Sequence, residues 1–216
     1  MKSSVNNLAL NKWTGIFAFS ILLLTASASH IQAQSSLQLG LKAGGDYLKI
    51  GGRSFDGKHY PGFNVGAYGK LNFTSKWSLQ PELDWNQTIA KTSGDFNSIY
   101  NGASDQQVNL NYVAIPVLIS FKPVPELSLL LGPQYGFLFS QTTNLLQAPG
   151  DEGKKAFKKS DASIVFGGQL NLNKVIIGLR YTVGLNNISF RTTDTWRQYG
   201  YQFYIGYQLK DLKIRK

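Results

Sequence analysis

FNVGAYGKLNFTSKWSLQPELDWN, residues 63–86, decides the fold. Phe63, Val65, Ala67, Leu71 and Phe73 share one face of an extended chain, and Asn64, Gly66, Tyr68, Lys70 and Asn72 share the other, because successive side chains in a strand point to opposite sides. After Thr74-Ser75-Lys76 the alternation resumes, with Trp77, Leu79, Pro81, Leu83 and Trp85 set against Ser78, Gln80, Glu82, Asp84 and Asn86. Phe73 and Trp77 keep to one face only if an odd number of residues separates them, and three do. The stretch therefore predicts two antiparallel strands on a tight turn, each with one apolar and one polar side.

The same rhythm extends in both directions. Upstream, Leu37, Leu39, Leu41 and Ala43 alternate with Gln38, Gly40, Lys42 and Gly44. Downstream, Val113 to Phe121 and Leu127 to Phe139 alternate on either side of Pro123-Val124-Pro125. Ile164, Phe166 and Leu170 lead to Val175, Ile177, Leu179, Tyr181 and Val183 across Asn173-Lys174, a two-residue hairpin that aligns Leu172 with Val175. Tyr199 to Leu209 makes the last segment. Long connections near residues 50–60, 92–108, 141–160 and 186–197 fall at one end, and short turns and both termini at the other.

This pattern predicts an all-β chain: an eight-stranded antiparallel up-and-down transmembrane β-barrel. Segments of about 10 to 13 residues, rising about 3.3 Å per residue and tilted about 40°, cover an apolar band of roughly 25 Å. Alternation by itself does not say whether the apolar face meets lipid or a protein core, so a soluble periplasmic lipocalin-like carrier stays open at this point. Three features point to lipid. Large aromatics gather near the strand ends, namely Phe73, Trp77 and Phe121 at the turn side and Tyr47, Phe63, Trp85, Phe139 and Tyr199 at the loop side. The opposite face is rich in Gly, Asn and Gln, with Lys42, Asp46, Lys70, Glu82, Asp84 and Arg180 among them, and only 16% of the chain is charged. The third feature is an export signal on a chain without cysteine.

That signal is residues 1–33, where Lys2 and Lys12 precede an apolar run from Trp13 to Ala28 and small residues surround Ile31-Gln32-Ala33. The order predicts a cleaved signal peptide, followed by a single barrel domain over 34–216. Loss of Lys2 and Lys12 lowers the net charge from +10 to +8. The positive charge is scattered, and its clusters, Lys154, Lys155, Lys158 and Lys159 and then Lys210, Lys213, Arg215 and Lys216, lack the spaced aromatics that stack bases, so nucleic acid is not an expected partner.

Catalytic and metal motifs give little. His59 is the one histidine after the leader, and no H-E-x-x-H, G-x-S-x-G or phosphate-binding loop occurs. An outer-membrane lipid-modifying enzyme would have to use His59 with Asp56 and Ser54 in the first long loop. Asp95, Asn97, Asn101 and Asp105 offer oxygens but no EF-hand spacing. The expectation is no enzyme and no cofactor. The ionised residues of the polar face are read structurally: Lys70, Glu82 and Arg180 form interior pairs, with Lys70 on the diagonal from Glu82, filling a barrel too narrow to be a channel. Lys154, Lys155, Lys158 and Lys159 around Phe157 make a candidate loop contact, a basic patch with an apolar centre.

The order and spacing of LGLKAGGDY at 39–47, LQPELDW at 79–85, YVAIPVLISF at 112–121 with LLLGPQYGFL at 129–138, and LRYTVGLNNIS at 179–189 resemble the PorT-like outer-membrane β-barrel family of Bacteroidota-type bacteria. The positions carried over are Pro81 and Glu82, Ile115 and Pro116, Gly132 and Pro133, Arg180 and Tyr181, and Gly184 and Leu185. Two places depart from the pattern: Ala114 stands where relatives often have an acidic residue, and where such barrels commonly finish on an aromatic, Gly206-Tyr207-Gln208-Leu209 is followed here by Lys210 to Lys216. The resemblance implies a compact barrel and no reaction. The expected setting is the outer membrane of a Gram-negative bacterium, with short turns and termini periplasmic, and the expected partners of a monomeric barrel are membrane lipid and an envelope protein or acidic surface polymer.

Overall fold

The computed structural model describes residues 36–96, 104–141, 156–190 and 194–213. Its strands are β1 (Ser36–Gly51), β2 (Tyr60–Asn72), β3 (Trp77–Lys91), β4 (Gln107–Val124), β5 (Leu127–Gln141), β6 (Ser160–Leu172), β7 (Val175–Gly184) and β8 (Arg197–Lys213). Each pairs antiparallel with its neighbours in sequence, and β8 returns to β1, so the sheet closes into an eight-stranded barrel with no free edge. The registers place Tyr68 opposite Glu82 and Leu172 opposite Val175. β8 runs four residues beyond Leu209, and a bulge at Leu39/Gly40 absorbs the change of register against β1.

The short turns all lie at one end. In the β2–β3 turn Phe73 N–H donates to the Trp77 carbonyl at 3.0 Å, and Thr74 Oγ1 accepts from Trp77 N–H at 2.9 Å. In the β6–β7 hairpin Asn173 takes the left-handed conformation, φ 57°, that a two-residue turn requires.

The apolar face points outward. Leu41, Leu83, Ile119, Leu131, Leu179 and Ile205, from six strands, are each more than half exposed, and Leu131 reaches 57%. Aromatic pairs mark both ends of this belt: Trp77 and Phe121 on the turn side, 4.7 Å apart, and Phe63 with Trp85 towards the loops, 5.3 Å apart and edge to face. A continuous apolar belt around a closed barrel is too large to leave in water and is covered by lipid. The interior-facing side chains include Lys42, Asp46, Asn64, Lys70, Glu82, Asp84 and Arg180, all buried. A lipocalin-like carrier needs an apolar lumen, and this polar interior removes that alternative.

Candidate functional site

Halfway along the lumen β3 turns Glu82 inward, where its two oxygens collect donors from three other side chains. Oε1 accepts from Arg180 Nη2 at 2.6 Å and Gln80 Nε2 at 2.7 Å, while Oε2 accepts from Arg180 Nη1 at 2.7 Å and from Lys42 Nζ. All the acceptor positions of the carboxylate are occupied. Lys42 also donates to Asp84 Oδ2 at 2.8 Å. The network thus joins β1, β3 and β7 across the barrel.

A tyrosine roofs these cations. The Tyr204 ring lies 4.4 Å from the Arg180 guanidinium carbon and 4.9 Å from Lys42 Nζ, and its hydroxyl donates to Gln169 Oε1 at 3.0 Å. The ring fits because Gly178 stands beneath it, where a Cβ would come within 2.1 Å of Cζ. Gly40 makes the same allowance for Tyr68, at 2.4 Å. Each glycine makes room for a large ring on the adjoining strand, the alternation of small and large side chains that suits an eight-stranded lumen.

Lys70 is not part of the Glu82 network, contrary to the expected diagonal pair. Its ammonium points towards the turns and donates to Ser128 Oγ on β5 at 3.3 Å. Gln80 gives its amide to Glu82, while Lys42, from a strand that is not adjacent to β3, takes the place assigned to Lys70.

Towards the loops the inward face becomes apolar. Ile50, Ala90, Val108, Leu110 and Tyr112 surround the opening, and Phe55, Phe96, Phe157 and Trp196 descend on it from the connections. Phe55 packs edge to face on Trp196 at 4.9 Å, Phe157 lies 5.1 Å from Trp196, and Phe96 stacks on it at 6.1 Å. Each of these four aromatics belongs to a different long connection, so every one contributes to a cap over the lumen. Asp194 clasps it: Oδ2 accepts from Ser54 Oγ at 2.8 Å, from Ser54 N–H at 3.0 Å and from Trp196 Nε1 at 3.0 Å. Burial pushes this carboxyl up, yet the bonds from Ser54, Trp196 and the Arg53 backbone outweigh that and hold it below the usual carboxylate range.

The cap corrects a second expectation. Phe157 is the apolar centre of no exposed patch: it is 4% exposed, inside the cap, and its segment bridges to Ser189. Lys158 is half-buried and Lys159 exposed, whereas Lys154 and Lys155 lie outside the described residues, as do 1–33, Asn97 and Asn101. The residues of the one catalytic candidate make contacts elsewhere. Ser54 Oγ is spent on Asp194, Asp56 accepts from Tyr60 Oη, and the His59 ring stacks on Tyr47 at 5.3 Å. Among the described residues no group of His, Asp or Glu side chains is placed to hold a metal ion.

The closed ring of strands, its outward apolar belt and its polar interior accompany a family-level match: the model of the outer membrane protein beta-barrel domain matches residues 32–189. The chain belongs to this family. Its members' setting, the Gram-negative outer membrane, is therefore this protein's setting too. No curated protein sequence matches the chain. Among solved structures it is similar to OprG from Pseudomonas aeruginosa, at 13% identity over 83% of this chain and 97% of that one, with a TM-score of 0.45. Ail of Yersinia pestis, solved with the heparin analogue sucrose octasulfate, gives 14% identity over 82% and 100% of the two chains and a TM-score of 0.42. Neisserial surface protein A gives 11% over 82% and 98%, with a TM-score of 0.44.

Proposed function

We propose that this outer-membrane barrel is a non-enzymatic, non-conducting scaffold of the PorT-like kind, a monomer that offers its loop surface to an envelope protein or an acidic surface polymer. The observation that carries the reading is a pair of side-chain clusters inside the barrel. The Lys42–Glu82–Arg180 network spans its middle and the aromatic cluster lies at its loop end, and together they support a lumen closed twice over. With the interior filled, the surface beyond the cap is what can meet a ligand, as loops on rigid scaffolds commonly do.

Residues 1–33 act as a signal peptide in this account, and 34–216 form the barrel domain. The termini and short turns face the periplasm, because outer-membrane barrels keep short turns on that side. Glu82 and Arg180, two of the positions that carry the PorT-like resemblance, meet in the lumen, which fits a shared interior architecture. On the loop side Arg53, Lys58, Lys159 and Arg197 are exposed and Lys154 and Lys155 belong to the same sequence cluster as Lys159, so an acidic polymer is the favoured ligand.

The test uses refolded protein and immobilised heparin as a polyanion probe. Retention should fall with added salt as the Debye length shrinks from about 10 Å at 0.1 M to about 3 Å at 1 M. Replacing Lys154, Lys155, Lys158 and Lys159 with glutamine should weaken it while leaving the folded barrel intact. Equal retention of the two proteins at every salt concentration would refute the assignment of the ligand to these lysines.

A further inference from the structure

The turn-side half of the lumen holds a charge without a counter-charge. Lys70 is 3% exposed, and among the described residues no carboxylate lies within 4 Å of its ammonium. Its neighbouring cation, Lys122, is close enough to act on it electrostatically and donates to Asn72 Oδ1 at 3.3 Å. From β2, Lys70 reaches to Ser128 on β5, and the strands between carry Ser78 and Ser120 directly opposite one another. Both serines are wholly buried, and neither Oγ has a hydrogen-bond partner. Ser128 Oγ accepts from Lys70 and from Asn171 Nδ2 at 2.9 Å, which leaves its O–H free to donate elsewhere.

The lysine amine thus meets the Ser128 hydroxyl in the buried turn-side half of the lumen, and the strands between supply the unpartnered hydroxyls of Ser78 and Ser120. Water would satisfy the hydroxyls, whereas an anion would also hold the buried lysine in its charged form. We propose that this compartment binds a small inorganic anion, of which a halide is the simplest, between Lys70 and the hydroxyls of Ser78, Ser120 and Ser128. The site lies on the opposite side of the Glu82 network from the cap, so it stands or falls independently of what the loops bind.

Crystals of the refolded barrel grown in sodium bromide should show an anomalous bromine peak beside Lys70 Nζ. The thermal midpoint in detergent should rise by several degrees as bromide replaces gluconate at fixed ionic strength, the response expected when ligand exceeds its dissociation constant about a hundredfold. Lys70→Met should abolish the peak and the bromide dependence. Should that variant not fold, the double substitution Ser78→Ala with Ser120→Ala should lower the peak and shrink the shift. Bromide found only at other positions, a midpoint indifferent to bromide, or a dependence unchanged in the variants would overturn the proposal.

Discussion

The Arg180 guanidinium on β7 and the Glu82 carboxylate on β3 meet in the lumen through two parallel hydrogen bonds of 2.7 and 2.6 Å, although 98 residues separate them in sequence. Neither group reaches water. Such a pair adds little to stability relative to an apolar filling, but losing one partner strands the other's charge in a desolvated interior.

Glu82→Ala, which leaves both Arg180 and Lys42 short of an acceptor, should therefore cost about 3–5 kcal/mol in guanidinium unfolding of the refolded barrel. Removing Arg180 as well should cost less than the two single losses added together, because the groups share one interaction. Strict additivity would show that the bond observed across the lumen is energetically idle.

Gly178→Ala should destabilise the barrel by about 1–3 kcal/mol, since the new methyl group meets a rigid Tyr204 ring rather than the end of a flexible chain. In a Tyr204→Leu background the same substitution should be closer to neutral. Equal costs in the two backgrounds, measured by unfolding midpoints, would disprove the close contact.

The cap should respond to acid in one direction. Asp194 sits below the ordinary carboxylate range, so its bonds to Ser54 and Trp196 contribute fully above that range and are lost as pH falls through the lowered value. Near-UV circular dichroism from the buried Trp196 should be flat from about pH 8 to 5 and change only below about pH 4. Asp194→Asn should remove that acid step, and a transition near neutral pH would contradict the assignment.

Sequence made the barrel readable because strand periodicity is local: the alternation of Phe63 to Phe73 and Trp77 to Trp85, joined by a three-residue turn, already implies register and facing. It places Lys70, Glu82 and Arg180 in the interior, where Glu82 and Arg180 do pair, but it gives Glu82 a bond to Lys70 that the lumen does not contain. Neighbouring strands can be paired by counting, whereas contacts across a closed lumen depend on tilt, stagger and the direction each long side chain takes, and these brought Lys42 rather than Lys70 to Glu82. The cap was missed for another reason. Phe157 lies between lysines and looked like the centre of an exposed patch, yet Phe55, Phe96, Phe157 and Trp196 place a large aromatic in each long connection, a regularity that would have signalled a shared core.

Ion conductance of the purified protein in planar bilayers tests the central claim of a doubly closed lumen most directly. Insertion confirmed by heat-modifiable migration of the same preparation should be accompanied by no stable ohmic steps, as the proposal that the Glu82 network and the Trp196 cap close the lumen requires. Reproducible large openings of the unmodified protein would contradict the account and make the barrel a channel.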